Sequence, residues 1–171
     1  GAAVIVILAS FLPHRRHGLC AALTMAVLAG AGIAMMMRWG APAQTTFSGT
    51  WALDGASRFT KGLIFGSALV AVALSPRWMA SDRRHGEYYA IVLFAVLGTV
   101  MLVSAVDSME LIVGVLLSSV AGYALTAYHR QWSPSQEAAM KYFLIGALAN
   151  AMLVIGVVLL FGLTGQTGYQ E

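Results

Sequence analysis

The chain has 171 residues and a formal net charge of +3; 59% of its residues are hydrophobic and only 10% are charged. Soluble domains carry about 25% charged residues, so this chain has too few charged side chains to cover a water-soluble globule. The composition predicts an integral membrane protein and excludes a soluble enzyme. The basic residues fall in short loops, which indicates membrane topology and not nucleic-acid binding.

Six apolar stretches follow one another along the chain, and we expect each to be a helix that crosses the membrane. A full span needs about 20 apolar residues, because the hydrocarbon core is about 30 Å thick and a helix rises about 1.5 Å per residue. The first stretch is shorter, and we interpret it as a helix that has lost its beginning. The predicted spans are 2–12, 19–37, 59–74, 88–106, 111–128 and 137–163.

The connections between these stretches are mostly short, so the sequence predicts one all-α helical bundle over residues 1–171. Residues 40–57 form the longest polar connection, and they fit either a short hairpin or an interfacial turn. Residues 107–110 form a very tight turn, and residues 165–171 form a polar tail. Pro76 lies beyond the end of the third predicted span.

The distribution of basic residues predicts the orientation of the bundle. Basic loops stay on the cytoplasmic side, and most arginines follow the first, third and fifth spans. We therefore expect both termini to face the outer side. Lys61 is the exception, because it lies near the outer end of the third span, where we expect it to snorkel to the interface. The cytoplasmic-loop arginines are Arg15, Arg16, Arg77, Arg83, Arg84 and Arg130.

The sixth span contains the most informative ionisable residue, Lys141. Ser133 or Ser135 is expected to cap this helix, and Pro134 suits its first position. Lys141 is either an anchor that snorkels to the headgroups or a proton-carrying amine that faces a hydrated groove. Glu137 lies one helical turn earlier on the same face and can pair with Lys141, although a first-turn acid that favours the helix dipole is the simpler interpretation.

Glu110 is the third candidate for proton translocation, and its simpler interpretation is a solvated residue at a helix end. Further along the same span, small and hydroxyl residues at Gly114, Ser118, Gly122 and Thr126 indicate a helix-packing seam, with a water path as the less favoured alternative.

The sequence shows no Gly-rich phosphate loop, Ser-His-Asp set, Rossmann fingerprint or metal-ligand cluster, and Cys20 is its single cysteine. We therefore expect no catalytic residue, metal or cofactor in this chain.

Two blocks resemble a known family: HGEYYAIVLFAVLGTVMLVSAVDSMELIVG, residues 85–114, and QEAAMKYFLIGALANAMLVIGVVLLFGLTG, residues 136–165, supported by WALDGASRFTKGL at 51–63. They are similar to subunit N of proton-translocating NADH:quinone oxidoreductase (respiratory complex I), the bacterial relative of mitochondrial NADH dehydrogenase subunit 2. The resemblance implies an antiporter-like bundle of about fourteen helices with inverted repeats. This chain would be its first part, with the remainder missing or carried by another chain.

The resemblance further implies a non-catalytic membrane-arm subunit that contributes to proton translocation coupled to quinone reduction. Its expected partners are other membrane-arm subunits, lipid and a possible separate chain with the C-terminal helices. NADH, FMN, iron–sulfur clusters and quinone would belong to the whole complex, which lies in the bacterial plasma membrane or the mitochondrial inner membrane. The alternative is a stand-alone or hydrogenase-linked cation/proton antiporter subunit.

One departure from the family motif affects the mechanism. The family has the form GLELLSLPxY, whereas this chain has GVLLSSVAGY at 114–123, so Leu116 replaces the glutamate and Ala121 the proline. Lys141 matches the family's lysine. Either protons move through other groups, such as Glu110 at about 9 Å along the helix axis, or the channel is inactive and the chain is a structural member of the arm. The absence of the acid favours the second account for this chain.

Overall fold

The computed structural model describes residues 17–40, 42, 44–46, 49–78, 85–129 and 131–169. Within these ranges the chain forms five helices and one two-stranded sheet, and all five helices are long and apolar enough to cross a membrane. The predicted span 2–12 lies outside the described residues. In chain order the elements are α1 (His17–Met36), β1 (Gln44–Thr46), β2 (Trp51–Leu53), α2 (Gly55–Trp78), α3 (His85–Ser104), α4 (Ser108–Thr126) and α5 (Ser133–Thr164).

Helix α2 extends beyond the predicted span 59–74 at both ends and contains Pro76 in its last turns. A proline inside a helix lacks the N–H that would bond the carbonyl four residues earlier, which here belongs to Val72. The hydroxyl of Ser75 donates a hydrogen bond of 2.7 Å to that carbonyl oxygen. The helix therefore continues through Pro76, where the sequence predicted that it would stop.

The buried core lies between α1, α2 and α3. Its polar groups are satisfied inside the bundle: the hydroxyl of Thr24 donates to the carbonyl oxygen of Cys20 at 2.7 Å, and the hydroxyls of Ser75 and Tyr89 are 3.1 Å apart. Burying a hydroxyl without a partner costs free energy, so these bonds make the apolar packing possible. The core consists of Cys20, Ala21, Leu28, Ala68, Val72, Tyr89, Ala90, Val92, Leu93 and Val96.

Helices α3 and α4 meet backbone to backbone at two glycines. A Cβ atom at Gly98 would lie 2.9 Å from the Cα atom of Ser118, and one at Gly114 would lie 2.8 Å from the amide nitrogen of Leu102. This is the packing seam that the small residues of α4 predicted. No space for a file of water molecules exists between the helices at these two points, so the seam is not a water path there.

The long polar connection contains a hairpin, which decides between the two structures that the sequence allowed. Strands β1 and β2 are antiparallel, with Thr45 opposite Ala52 and Thr46 opposite Trp51. Gly49 adopts a φ of +94° in the connecting turn, a conformation that favours glycine. We call the end of the bundle that carries this hairpin the hairpin end; α2 and α4 begin there, and α1, α3 and α5 finish there.

The turn between α3 and α4 is held between the hairpin and the C-terminal tail. The amide of Val106 donates to the carbonyl oxygen of Thr50 at 2.9 Å, and the amide of Tyr169 donates to the carbonyl oxygen of Val106 at 3.0 Å. Asp107 caps α4 by accepting from the amide of Met109 at 2.6 Å, and it also accepts from the hydroxyl of Thr167 at 2.7 Å. The turn predicted at 107–110 is therefore shorter, because its last three residues already belong to α4.

Candidate functional site

Lys141 and Glu137 form an ion pair near the beginning of α5, at the end of the bundle opposite the hairpin. The Nζ atom of Lys141 donates to Oε1 of Glu137 at 2.5 Å, and the two side chains are 70% and 66% exposed. This is the i, i+4 contact that the sequence predicted. An exposed pair contributes little to folding stability, so stability alone does not account for two charges on a membrane-spanning helix.

The beginning of α5 differs from the expected cap. Its N-cap residue is Trp132, which makes no side-chain capping bond, and Pro134 lies in the first two helical positions as predicted. Ser135 is buried, and its hydroxyl donates to the carbonyl oxygen of Thr126 at 2.6 Å. The last carbonyls of a helix lack intrahelical donors, so Ser135 satisfies the end of α4 and does not cap its own helix.

Next to the ion pair, α4 and α5 are joined around Tyr123. The side-chain amide of Asn150 donates to the Tyr123 hydroxyl at 3.5 Å. The Tyr123 ring meets the rings of Tyr142 and Phe143 edge-on at centroid distances of 5.0 and 5.4 Å. Sequence reasoning missed Asn150, although an amide inside a long uncharged apolar run is a signal that could have identified it.

Leu116, which the resemblance places at the position of the family's glutamate, is 40% exposed on α4. Leu116 and the Lys141–Glu137 pair are therefore each accessible in the described part of the chain. Helix α5 presents a long accessible apolar surface, since its most apolar window has no buried residue. Lipid or further protein must cover this surface.

Glu110, the third candidate, is not brought near Lys141. It lies in the first turn of α4 at the hairpin end, whereas Lys141 lies near the opposite end of the bundle. A hydrogen bond joins the Glu110 side chain to Thr50, and its Oε2 atom is buried without a hydrogen-bond partner among the described residues. Glu110 therefore does not take the place of the missing glutamate at position 116.

Lys61 is buried, and the expectation that it would snorkel is wrong. Lys61 is 5% exposed. Its Nζ atom donates to the carbonyl oxygen of Ala52 at 3.4 Å, and the same atom lies 5.1 Å from the centroid of the Trp51 ring. Strand β2 covers the end of α2 and closes the route to the headgroups. Because this contact depends on where the hairpin folds back, the local sequence around Lys61 gives no sign of it.

Arg58, one turn before Lys61, fixes the loop between α1 and the hairpin. Its guanidinium donates to the carbonyl oxygens of Trp39, Pro42 and Leu53 at 3.2, 3.0 and 2.9 Å. Several donors in a fixed fork suit such a task. Within the described ranges, no three His, Cys, Asp or Glu residues lie close enough to hold a metal ion.

Comparison with known proteins places these features in a family context. Residues 105–171 match the family model described as NADH:quinone oxidoreductase/Mrp antiporter, transmembrane. NADH-quinone oxidoreductase subunit N of Sphingopyxis alaskensis is 38% identical over 99% of this chain and 35% of its own length. The subunit N of Dehalococcoides mccartyi is 35% identical over 97% of this chain and 34% of its own length. The chain thus spans about a third of the length of these relatives.

Solved structures show the same arrangement of helices. A chain of respiratory complex I from Thermus thermophilus superposes with a TM-score of 0.84 at 29% identity, covering 99% of this chain and 36% of that chain. A chain of an archaeal membrane-bound sulfane sulfur reductase superposes with a TM-score of 0.78 at 18% identity, covering 98% and 36%. The second likeness concerns the fold alone.

Proposed function

Because this chain is a homologue of NADH-quinone oxidoreductase subunit N, we propose that it forms part of a membrane-arm subunit of a proton-translocating NADH:quinone oxidoreductase. The identities to these relatives are 33–38% over most of the present chain. The observation that carries the proposal is this homology over a chain whose described part folds into five helices that are long and apolar enough to cross a membrane. A stand-alone or hydrogenase-linked antiporter is not favoured, because these relatives bear the name of the oxidoreductase subunit.

Within that subunit, the Lys141–Glu137 pair is the group best suited to handle a proton. An ammonium that donates to a carboxylate can pass its proton along the existing hydrogen bond, which leaves a neutral amine and a neutral carboxyl group. The pair lies on the accessible surface of α5, and the partners that we propose for that surface are the remaining helices of the subunit and lipid. A hydrated groove between those helices and α5 would give the pair access to water.

A structural role is the second candidate, and Leu116 favours it. Leucine neither carries a proton nor pairs with a lysine, and Glu110 at the hairpin end does not contact Lys141. If the path ends at Leu116, the chain serves to pack against neighbouring subunits and lipid. Removing a buried acid also removes a desolvation cost of several kcal/mol, so stability does not oppose the loss.

The multi-pass chain is proposed to lie in a bacterial plasma membrane, with the hairpin end on the outer side. The arginine distribution supports this orientation, and the chain itself is proposed to hold none of the cofactors of the complex. Affinity purification of the tagged subunit from membranes tests the assignment. We expect the electron-transfer subunits of an NADH:quinone oxidoreductase to copurify, and recovery of the chain without any of them would contradict it.

A further inference from the structure

Beneath the hairpin, the fold brings together two ionisable residues from different helices, Lys61 of α2 and Glu110 of α4. Three consecutive hairpin residues contact them. Thr50 is hydrogen-bonded to the Glu110 side chain, the Trp51 ring lies 5.1 Å from the Lys61 Nζ atom, and the carbonyl oxygen of Ala52 accepts from that atom at 3.4 Å. Lys61 and Glu110 are also close enough for their opposite charges to attract each other electrostatically.

Lys61, which is buried, and Glu110, which is partly buried, are both incompletely hydrogen-bonded. Lys61 has three N–H donors, but its one hydrogen bond in the described chain is the long contact to Ala52. Glu110 has a buried oxygen atom that accepts no hydrogen bond from the described residues, and no direct ion pair between the two residues is present in that part of the chain. A buried charge that is incompletely paired and bonded is costly.

Arg58 shows that the same region can satisfy a cation fully. It lies one turn from Lys61 on α2, is likewise buried, and donates to three carbonyl oxygens at 2.9–3.2 Å. A cation that only anchors the hairpin is bonded in this way. Anchoring the hairpin does not account for the incomplete bonding of Lys61 and Glu110, and buried polar atoms without partners are rare in folded proteins.

We propose that Lys61 and Glu110 form a proton-exchanging couple at the hairpin end of the bundle. The four-carbon stem of Lys61 swings its ammonium from the Trp51 ring to Glu110. There an N–H bond breaks and an O–H bond forms, which leaves a neutral amine and a neutral carboxyl group. The carboxyl group then releases this proton to water on the hairpin side, and the amine takes up a proton from water, which restores the charged form. The other charged groups that act on it are Asp54 and Arg58 at Lys61, and Asp107 at Glu110.

The role that we assign to the couple in proton translocation rests on the proposed function. The Lys141–Glu137 pair lies at the opposite end of the bundle, and the apolar Leu116 lies between the two ends on α4. In this arrangement each end carries a lysine and a glutamate that can load or release a proton. The couple acts on the hairpin side, and it does not replace the acid that is missing at position 116.

Carbodiimide labelling tests the couple without any need for enzymatic activity. Dicyclohexylcarbodiimide, an apolar reagent, modifies protonated carboxyl groups, and mass spectrometry of the intact complex after digestion locates the adduct. We expect Glu110 to be modified in a pH-dependent manner, and Glu87, an exposed first-turn acid of α3, to remain unmodified. Lys61→Gln should move the midpoint of Glu110 labelling by about one pH unit, as the loss of a neighbouring charge does. An unreactive Glu110, or an unchanged midpoint, would overturn the couple.

Lys61→Arg tests proton transfer with the positive charge retained. A guanidinium does not give up its proton in proteins, so we expect this variant to assemble and to oxidise NADH while proton translocation per NADH falls severalfold. Glu110→Gln should have the same effect, whereas Glu110→Asp, which keeps a carboxyl group, should retain part of the translocation. Translocation at the parent level in both Lys61→Arg and Glu110→Gln would refute the assignment.

The two proposals fail in different ways. If the chain is not part of an NADH:quinone oxidoreductase, it will not copurify with the electron-transfer subunits, yet Glu110 labelling and its dependence on Lys61 will still be measurable. If the couple is wrong, the chain will copurify, Lys61→Gln will leave the Glu110 labelling midpoint unchanged, and Lys61→Arg will leave translocation unchanged.

Discussion

The ring of Tyr123 lies directly against the backbone of Gly146, where α4 and α5 cross inside the membrane. A Cβ atom at Gly146 would lie 2.9 Å from the Cε1 atom of the ring and still closer to the hydroxyl. The same hydroxyl accepts from Asn150 at 3.5 Å. A glycine on α5 thus makes room for the Tyr123 ring, and the hydrogen bond from Asn150, one turn further along α5, helps to orient that ring.

The first prediction follows from this contact. Gly146→Ala should destabilise the subunit by about 1–3 kcal/mol, because the ring must move and overpacking of a close contact costs that much. The effect is measured by heating the proposed complex in detergent and monitoring the loss of this subunit from the particle. Gly156→Ala is the matched control on the same helix, since nothing lies within 4 Å of its Cβ position. An equal stability of the two variants would contradict the contact.

Gly98→Ala should be more damaging. The atoms that a Cβ would meet belong to the backbone of Ser118, which cannot rotate away as a side chain can. We expect α3 and α4 to separate and the subunit to be lost from the assembled complex, as judged by quantitative mass spectrometry of the purified particle. Gly66→Ala on α2, where the Cβ position is open, should leave assembly at the parent level. Normal assembly of Gly98→Ala would mean that the two helices are farther apart.

Arg58→Ala should loosen the hairpin end, because three carbonyl oxygens lose a charged donor. Hydrogen bonds to charged groups contribute about 1.5–3 kcal/mol each. Because one side chain makes all three bonds, their contributions are not additive, so we expect a loss of at least about 3 kcal/mol. Limited proteolysis between α1 and α2 reports the loosening as faster cleavage. Arg38→Ala is the control, since Arg38 is an exposed arginine in the same connection. Equal cleavage rates in the two variants would exclude the anchoring role.

These predictions use two kinds of information, and the sequence contains only the first. Local rules suffice for the long apolar helices, for the i, i+4 contact between Glu137 and Lys141, and for the small residues of the α3–α4 seam, because each depends on spacing along one helix. The burial of Lys61 depends on the hairpin that folds back over α2. The use of Ser135 by the end of α4 depends equally on a second helix, so helix-start rules assigned its hydroxyl to the wrong task.

The site shows the same division. Resemblance to the family predicted the importance of Lys141 and the loss of the acid at Leu116, since both are read from aligned motifs. It gave no sign that Glu110 lies under the hairpin with Lys61, because the two residues are far apart in sequence and are brought together by the hairpin. The amide of Asn150 stands out in its apolar run, but the sequence does not reveal its partner, because Tyr123 lies on another helix.

Lys141→Ala tests the proton-handling role of the exposed pair. If the pair carries protons, this variant and Glu137→Gln should each lower proton translocation per NADH in inverted membrane vesicles, while NADH oxidation with an uncoupler stays at the parent level. Met140→Ala is the control, as Met140 is an exposed neighbour on the same helix. Parent-level translocation in both pair variants would leave the chain with the structural role alone.

Leu116→Glu restores the acid that the family motif carries at this position. Leu116 is 40% exposed on a surface that the described chain does not cover, so the outcome depends on what lies opposite. A carboxylate that faces lipid at this depth costs about 2.5–3.5 kcal/mol, and the subunit would then assemble poorly. If the remaining helices of the subunit place a cation or water there, the carboxylate is tolerated and adds a proton-carrying group to the path. We expect the second outcome, with normal assembly and more protons translocated per NADH than in the parent. Glutamine has nearly the same shape as glutamate and is polar, but it does not carry a proton, so Leu116→Gln should assemble normally without the gain in translocation. An equal gain in Leu116→Gln would show that polarity and not proton transfer is responsible.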